Sequence, residues 1–176
     1  MVMRFKSRSK LHASLAMLSL AAASSASAYD WGDGFSLKKK DGDQYAMLVS
    51  PFTQHFHPSP EHKHVWLVGV ERERADHSLA GAAYFSNSFG QTSAYLFPWG
   101  QTYHDLLGQE QLYVKWTAGL LYGYREPYEN KVPFNHNGFS PAIVPAVGWQ
   151  FDNKYTVQLN FLGLNGAMLQ FSLPVR

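Results

Sequence analysis

The chain contains no cysteine, so disulfide staples and zinc–thiolate centres are excluded at once. Charge is also scarce: 16% of the 176 residues are Asp, Glu, Lys or Arg. No basic stripe of the kind that tracks a nucleic-acid backbone is present, and no nucleic-acid partner is expected. Acid is missing altogether from the first 28 residues, whereas Arg4, Lys6, Arg8 and Lys10 are all basic. Beyond them no run of 18 consecutive apolar residues occurs, which leaves no transmembrane helix in the rest of the chain.

What is present at the N-terminus has an order. The basic start is followed by a mostly apolar stretch over 11–23 and then by Ala26-Ser27-Ala28. Basic region, short apolar run and small-x-small site together predict a secretory signal peptide over residues 1–28. Its removal leaves 11 Lys and Arg against 13 Asp and Glu, a formal charge of −2 where the whole chain has +2. Residues 29–43 are rich in Gly and Lys and predict a periplasmic stub or short helix, with Lys38, Lys39 and Lys40 solvated.

From residue 44 onward the sequence alternates. Tyr155, Val157, Leu159 and Phe161 fall on one face, and Thr156, Gln158 and Asn160 on the other. Ala167, Leu169, Phe171 and Leu173 likewise oppose Met168, Gln170 and Ser172. A longer run sets Val114, Trp116, Ala118, Leu120, Tyr122 and Tyr124 against Tyr113, Lys115, Thr117, Gly119, Gly123 and Arg125. A period of two means strands. About eight such runs occur, near 44–52, 64–74, 78–86, 92–103, 111–125, 139–151, 154–163 and 166–175. Many match the length of a tilted membrane-crossing strand.

The expected fold is therefore all-β, an eight-stranded antiparallel transmembrane β-barrel over 44–176. An even strand count closes the sheet and leaves no edge in hydrocarbon. Aromatics at run ends, such as Phe97, Trp99, Tyr122, Tyr124, Trp149 and Phe151, match interfacial girdles. Parity then puts 53–63, 87–91, 126–138 and 164–165 at one end, and 75–77, 104–110 and 152–153 at the other. The longer set is expected outside the cell. Alternation alone does not distinguish this from a soluble lipocalin-like barrel with its apolar face inside.

An eight-stranded barrel is too narrow for a channel but can hold one small ligand. The polar candidates lie in the outer connections: Gln54, His55, His57, Glu61, His62 and His64 in the first, Ser86, Asn87 and Ser88 in the second. A histidine beside a serine is the minimum for acyl transfer, with the imidazole taking the proton. Polar loops and Ser-Asn-Ser turns are equally ordinary in barrels. The histidines lack a matching Asp or Glu ligand pattern, so neither metal nor cofactor is expected. Pro141 and Pro145 share one strand, and neither can donate to a ladder, so a gap or bulge in the wall is expected there. The inward Gly69, Gly81, Ala83, Gly119, Gly123 and Gly148 are candidates to leave space for an apolar chain.

Several segments occur in a recognisable order: Pro51-Phe-Thr-Gln-His55, Ala83-Tyr-Phe-Ser-Asn-Ser88-Phe, Trp116-Thr-Ala-Gly119, Arg125, and Pro141-Ala-Ile-Val-Pro145 before Val147-Gly148. In these the chain resembles the PagP family of outer-membrane lipid A palmitoyltransferases, sparsely, over most of 45–175. The resemblance implies an outer-membrane enzyme that moves a palmitoyl chain from a phospholipid donor to lipid A. It puts the family's histidine on His55 and its serine on Ser88. The family's aspartate before that serine falls on Asn87, which can orient but supplies no carboxylate. Arg125, Pro141, Pro145 and His57 become candidate substrate-binding positions, His57 as a substitute for His55. A family proline on the following strand has no counterpart at Phe161-Leu162-Gly163. The C-terminus, Leu173-Pro-Val-Arg176, lacks the usual final aromatic. A monomer is expected. The alternatives are a lipid A deacylase, for which His57-Pro58-Ser59 is a poor His-x-Ser match, and a non-catalytic structural or ligand-binding barrel.

Overall fold

The computed structural model describes residues 40–152 and 154–175. The expected signal peptide and most of the expected stub lie outside them. Residues 40–43 form a turn, tied by the Lys40 amide to the Asp43 carboxylate at 2.8 Å. Eight strands follow: β1 (Gln44–His55), β2 (Leu67–Glu73), β3 (Leu79–Ser86), β4 (Thr92–Tyr103), β5 (Leu112–Tyr122), β6 (Phe139–Gln150), β7 (Thr156–Phe161) and β8 (Gly166–Val175). Each pairs antiparallel with its sequence neighbour, and β1 pairs with β8, so the sheet is a closed barrel. The fold is all-β. Two single 3-10 turns, Leu106–Gly108 and Glu129–Lys131, interrupt the connections.

The connections 56–66, 87–91, 123–138 and 162–165 gather at one end, called here the mouth. The shorter set, 74–78, 104–111 and 151–155, lies with the strand termini Gln44 and Val175 at the other, the base. Two expectations shift. β1 runs on to His55, because a bulge between Val49 and Phe52 absorbs Pro51 and the ladder with β8 resumes as far as His55↔Gly166. His55 is thus the last residue of a strand and not a loop residue. β5 stops at Tyr122 because Gly123 adopts φ 136, a backbone that breaks the alternation. Tyr124 therefore leaves the outward face to which its parity assigned it.

The faces of the barrel are sorted by chemistry. Large apolar side chains point outward and are exposed: Val70 at 59%, Ile143 at 71%, and Val68, Leu96, Leu120 and Leu159 among others. Exposed aromatics gather near both ends, with Trp66, Tyr84 and Phe139 towards the mouth and Tyr103, Trp149 and Tyr155 towards the base. Phe97, expected among the girdle residues, is instead buried inside; β4 has its register shift between Leu96 and Trp99, around Pro98.

Inside, the two halves differ. Toward the mouth Leu48, Leu67, Ala83, Phe97 and Met168 pack together, with Phe85, Tyr95 and Leu162 against them. Toward the base the interior is polar and encloses a smaller space of about 80 Å³ beside Glu71, Glu73, Tyr113 and Lys115. The Lys115 ammonium bonds both Glu71 carboxylate oxygens at 2.7 and 2.9 Å. The Tyr113 hydroxyl donates to Gln158 at 2.8 Å, Gln158 to Asn160 at 2.7 Å, and Asn160 to Gln170 at 3.1 Å. Each of these buried polar groups has a partner, as burial requires. Outside the base, the Arg72 guanidinium bonds the Asp43 carboxylate at 2.7 Å and fastens residue 43 to the wall.

Candidate active site

β1 and the β3–β4 connection deliver the two groups that sequence reading singled out. His55 ends β1, and Ser88 follows β3 by two residues. Thirty-three positions apart in sequence, they meet with His55 Nε2 and Ser88 Oγ at 2.7 Å. That distance is a strong hydrogen bond, and the pair has the geometry of a base and the hydroxyl it serves.

Asn87 does not touch the imidazole. It is 1% exposed and organises its own loop. Its side-chain oxygen accepts from the Phe89 and Gln91 amides at 2.9 and 3.0 Å, and its amide donates to Gln91 Oε1 and the Gly123 carbonyl at 3.3 and 3.4 Å. This is Asx-turn chemistry, which tightens the loop around Ser88. The Ser88 carbonyl in turn accepts from the Lys63 amide at 2.8 Å, so the 56–66 connection is fastened to the same loop.

A second imidazole is the neighbour that sequence reading listed only among the polar loop residues. The His62 ring stacks on His55 with centroids 4.0 Å apart, and Phe89 meets His62 edge-on at 5.6 Å. Phe89 also stacks on Tyr128 at 4.1 Å, under the Lys131 ammonium. Tyr124 reaches Ser88 as well. Burial raises the pKa of its phenol, which the hydrogen bonds with Ser88 partly offset. The signal that could have found Tyr124 is Gly123, a glycine at the end of an alternating run.

His55, Ser88 and Tyr124 stand at the entrance of a cavity of about 400 Å³ inside the mouth half. Its walls are Leu48, Val65, Leu67, Ala83, Phe85, Phe97 and Met168, and Glu71, Lys115, Gln158, Asn160 and Gln170 line its lower part. The volume lies in the range of small-molecule sites, about 300–1,000 Å³. Of the six small residues expected to make the space, only Ala83 lines it. The glycines seat their neighbours instead. A Cβ on Gly81 would lie 2.4 Å from the Phe97 ring, and one on Gly148 would lie 2.4 Å from Tyr113.

The wall beside the cavity is incomplete in two places. The β6–β7 ladder ends at Ala146↔Asn160, although β6 begins at Phe139. Continued by one step, the register would set Pro145 opposite Phe161. Pro141 and Pro145 have the same parity, so their missing N–H groups fall on one edge of β6; the β5 edge is paired throughout. Pro141, Ala142, Ile143 and Val144 line the cavity from one side of this opening, and Leu162, Gly163 and Leu164 from the other. The β1–β2 ladder likewise ends at Ser50↔Leu67 while β1 continues, and His64 Nε2 bonds the Pro51 carbonyl there at 2.8 Å. The expected gap is present even though the following strand supplies no proline.

The remaining candidates are not brought to the pair. His57 is exposed on the 56–66 connection, as are Pro58 and Glu61. Arg125 is exposed at the mouth, its amide bonded to Gln91 Oε1 at 3.1 Å. Pro145 is exposed on the outer face, at the lower end of the seam. Asp76 sits in the 74–78 turn at the base, with its carboxylate bonded to Ser78. No protein-family model and no curated protein sequence matches the chain.

Proposed function

We propose that the protein is an outer-membrane acyltransferase that moves a palmitoyl or similar fatty acyl chain from a phospholipid to lipid A. The observation that carries the reading is the 2.7 Å His55–Ser88 contact at the entrance of an apolar cavity. The outward apolar faces and inward polar groups favour a barrel that stands in lipid over a soluble barrel of the opposite sense. A spanning barrel would put the mouth, with its longer connections, in the outer leaflet, where lipid A resides. The β6–β7 seam would admit an acyl chain sideways from the bilayer.

The chemistry follows from the pair. A phospholipid acyl chain occupies the cavity, and its ester carbonyl stands at the entrance. His55 takes the proton of the attacking hydroxyl, either that of Ser88 or that of lipid A oriented by Ser88. The acyl–oxygen bond to glycerol breaks and the lysophospholipid alkoxide receives the proton from His55. When lipid A attacks directly, its hydroxyl carries the acyl chain as an ester at once; when Ser88 attacks, the chain rests as an ester on Ser88 Oγ until a lipid A hydroxyl, deprotonated by His55, displaces it and the proton returns to Ser88.

The test uses the folded protein in detergent with labelled phospholipid and lipid A. Wild type is expected to add one acyl chain to lipid A, and the His55→Ala and Ser88→Ala variants to lose that gain while keeping heat-modifiable gel mobility. Free fatty acid without acylated lipid A would reassign the site to hydrolysis. No turnover by folded wild type, over several donors, would leave a binding or structural barrel.

A further inference from the structure

At the base of the barrel, away from His55 and Ser88, three ligand-type side chains converge from three segments. Glu73 ends β2, His77 lies in the β2–β3 turn, and His104 begins the β4–β5 connection. Glu73 Oε1 is 2.8 Å from His77 Nδ1 and 3.0 Å from His104 Nε2, and the three donor atoms all lie within 4.8 Å of one another. We propose that Glu73, His77 and His104 bind a divalent cation of the zinc class at the base of the barrel. The site is independent of the acyl-transfer reading.

Two neutral imidazoles and one carboxylate are a zinc-type donor set, and three protein ligands leave a fourth position for water. The nitrogen donors disfavour calcium and magnesium, which take oxygen. Tetrahedral zinc with bonds near 2.1 Å separates its donors by about 3.4 Å. The two contacts that Glu73 Oε1 makes with the imidazoles need to open by only about half an ångström to reach that figure. His77 is exposed, and His104 and Glu73 are half-buried, so small torsional changes suffice.

The surroundings hold the donors ready. His77 keeps a left-handed backbone, φ 63, a conformation that non-glycine residues seldom adopt. Its carbonyl accepts from the Thr102 amide at 2.9 Å, and its amide donates to the Arg74 carbonyl at 2.8 Å. Gln101 donates to the Asp76 carbonyl at 2.9 Å, locking the turn onto β4. Two acidic residues, Glu71 and Glu73, face inward on β2. The Lys115 ammonium is bound by Glu71 through both oxygens, and the Glu73 carboxylate is left to the imidazoles. A cation there would tie β2, the β2–β3 turn and the β4–β5 connection together.

The experiment is a zinc titration of tag-free folded protein in detergent after chelator treatment, read by equilibrium dialysis, with cobalt absorption as a second readout. One equivalent is expected, with binding weakened at least about tenfold in Glu73→Gln, His104→Ala and His104→Gln. His104→Gln keeps size and polarity, and heat-modifiable mobility establishes that each variant is folded. The double variant His57→Ala/His64→Ala, in the mouth connection, is expected to bind zinc as wild type does. Absence of zinc binding by wild type overturns the proposal. So does zinc binding that survives His104→Gln and is lost in the His57/His64 variant.

Discussion

The mouth half and the base half of this barrel are built from the same eight strands by opposite rules. In the base half the interior is tied together by polar contacts: Lys115 grips Glu71, and Tyr113, Gln158, Asn160 and Gln170 hand hydrogen bonds from one to the next. In the mouth half two ladders stop short, an apolar cavity stays open, and a histidine–serine pair stands over it. The difference teaches where the fold can give up hydrogen bonds. A half anchored by buried polar contacts can support a half whose wall is left open.

The largest effect that separates the halves is catalytic. His55→Ala is expected to lower acyl transfer by about 10²–10⁴-fold, the range for a lost general base. Its unfolding free energy in detergent and urea should stay close to wild type, because the imidazole sits at a strand end. A variant that unfolds readily would make His55 structural and erase the contrast.

The mirror experiment is in the base. Lys115→Met leaves the Glu71 carboxylate buried without its cation and is expected to cost about 3–5 kcal/mol of stability. Adding Glu71→Leu removes the orphaned charge, and most of the loss should return. Urea unfolding of the two variants measures both numbers. Equal losses in the single and the double variant would break the account of the base as a paired interior.

Glycine substitutions sharpen the comparison further. Gly148→Ala drives a methyl into Tyr113 and is expected to cost about 1–3 kcal/mol, as overpacking does. Gly163→Ala, in the mouth connection, meets nothing within 4 Å and has only its φ of 61 to strain, about 1 kcal/mol. The same urea titration ranks the two. Next, Pro145→Ala restores a donor where the β6–β7 ladder ends. One added hydrogen bond to β7 should stabilise by about 1 kcal/mol and slow lipid transfer severalfold. Faster transfer would mean that the seam is not an entrance. The smallest effect belongs to His57→Ala. Its exposed ring, distant from the pair in the loop, should leave transfer rate and stability unchanged within about 0.5 kcal/mol.

Much of this was legible along the chain. Strand positions follow from alternation, because a pleated strand sends successive side chains to opposite faces and the two faces of this wall differ in polarity. β4 and β8 have the bounds that the pattern gives them, 92–103 and 166–175. Where the pattern misleads, one residue breaks the period. Gly123 turns Tyr124 from the outer face to the serine, and the bulge at Pro51 carries His55 out of the loop and onto β1. Glycine spacing was a poor guide to the cavity: Gly81 and Gly148 make room for the rings of Phe97 and Tyr113 and do not line the cavity themselves. His62 was visible only as a loop histidine, since stacking depends on how the loop folds back.

The sequence by itself determined the strands, their order around the barrel and, within each unbroken run, which residues share a face, because these depend on local period and on neighbours along the chain. Only the tertiary structure decided what meets across the closed sheet. The contact of His55 with Ser88, the stack of His62, the two unsealed seams and the cluster of Glu73, His77 and His104 all join residues from different segments. Register, bulges and loop backbone set those meetings, and a shift of one residue would send each side chain to the opposite face.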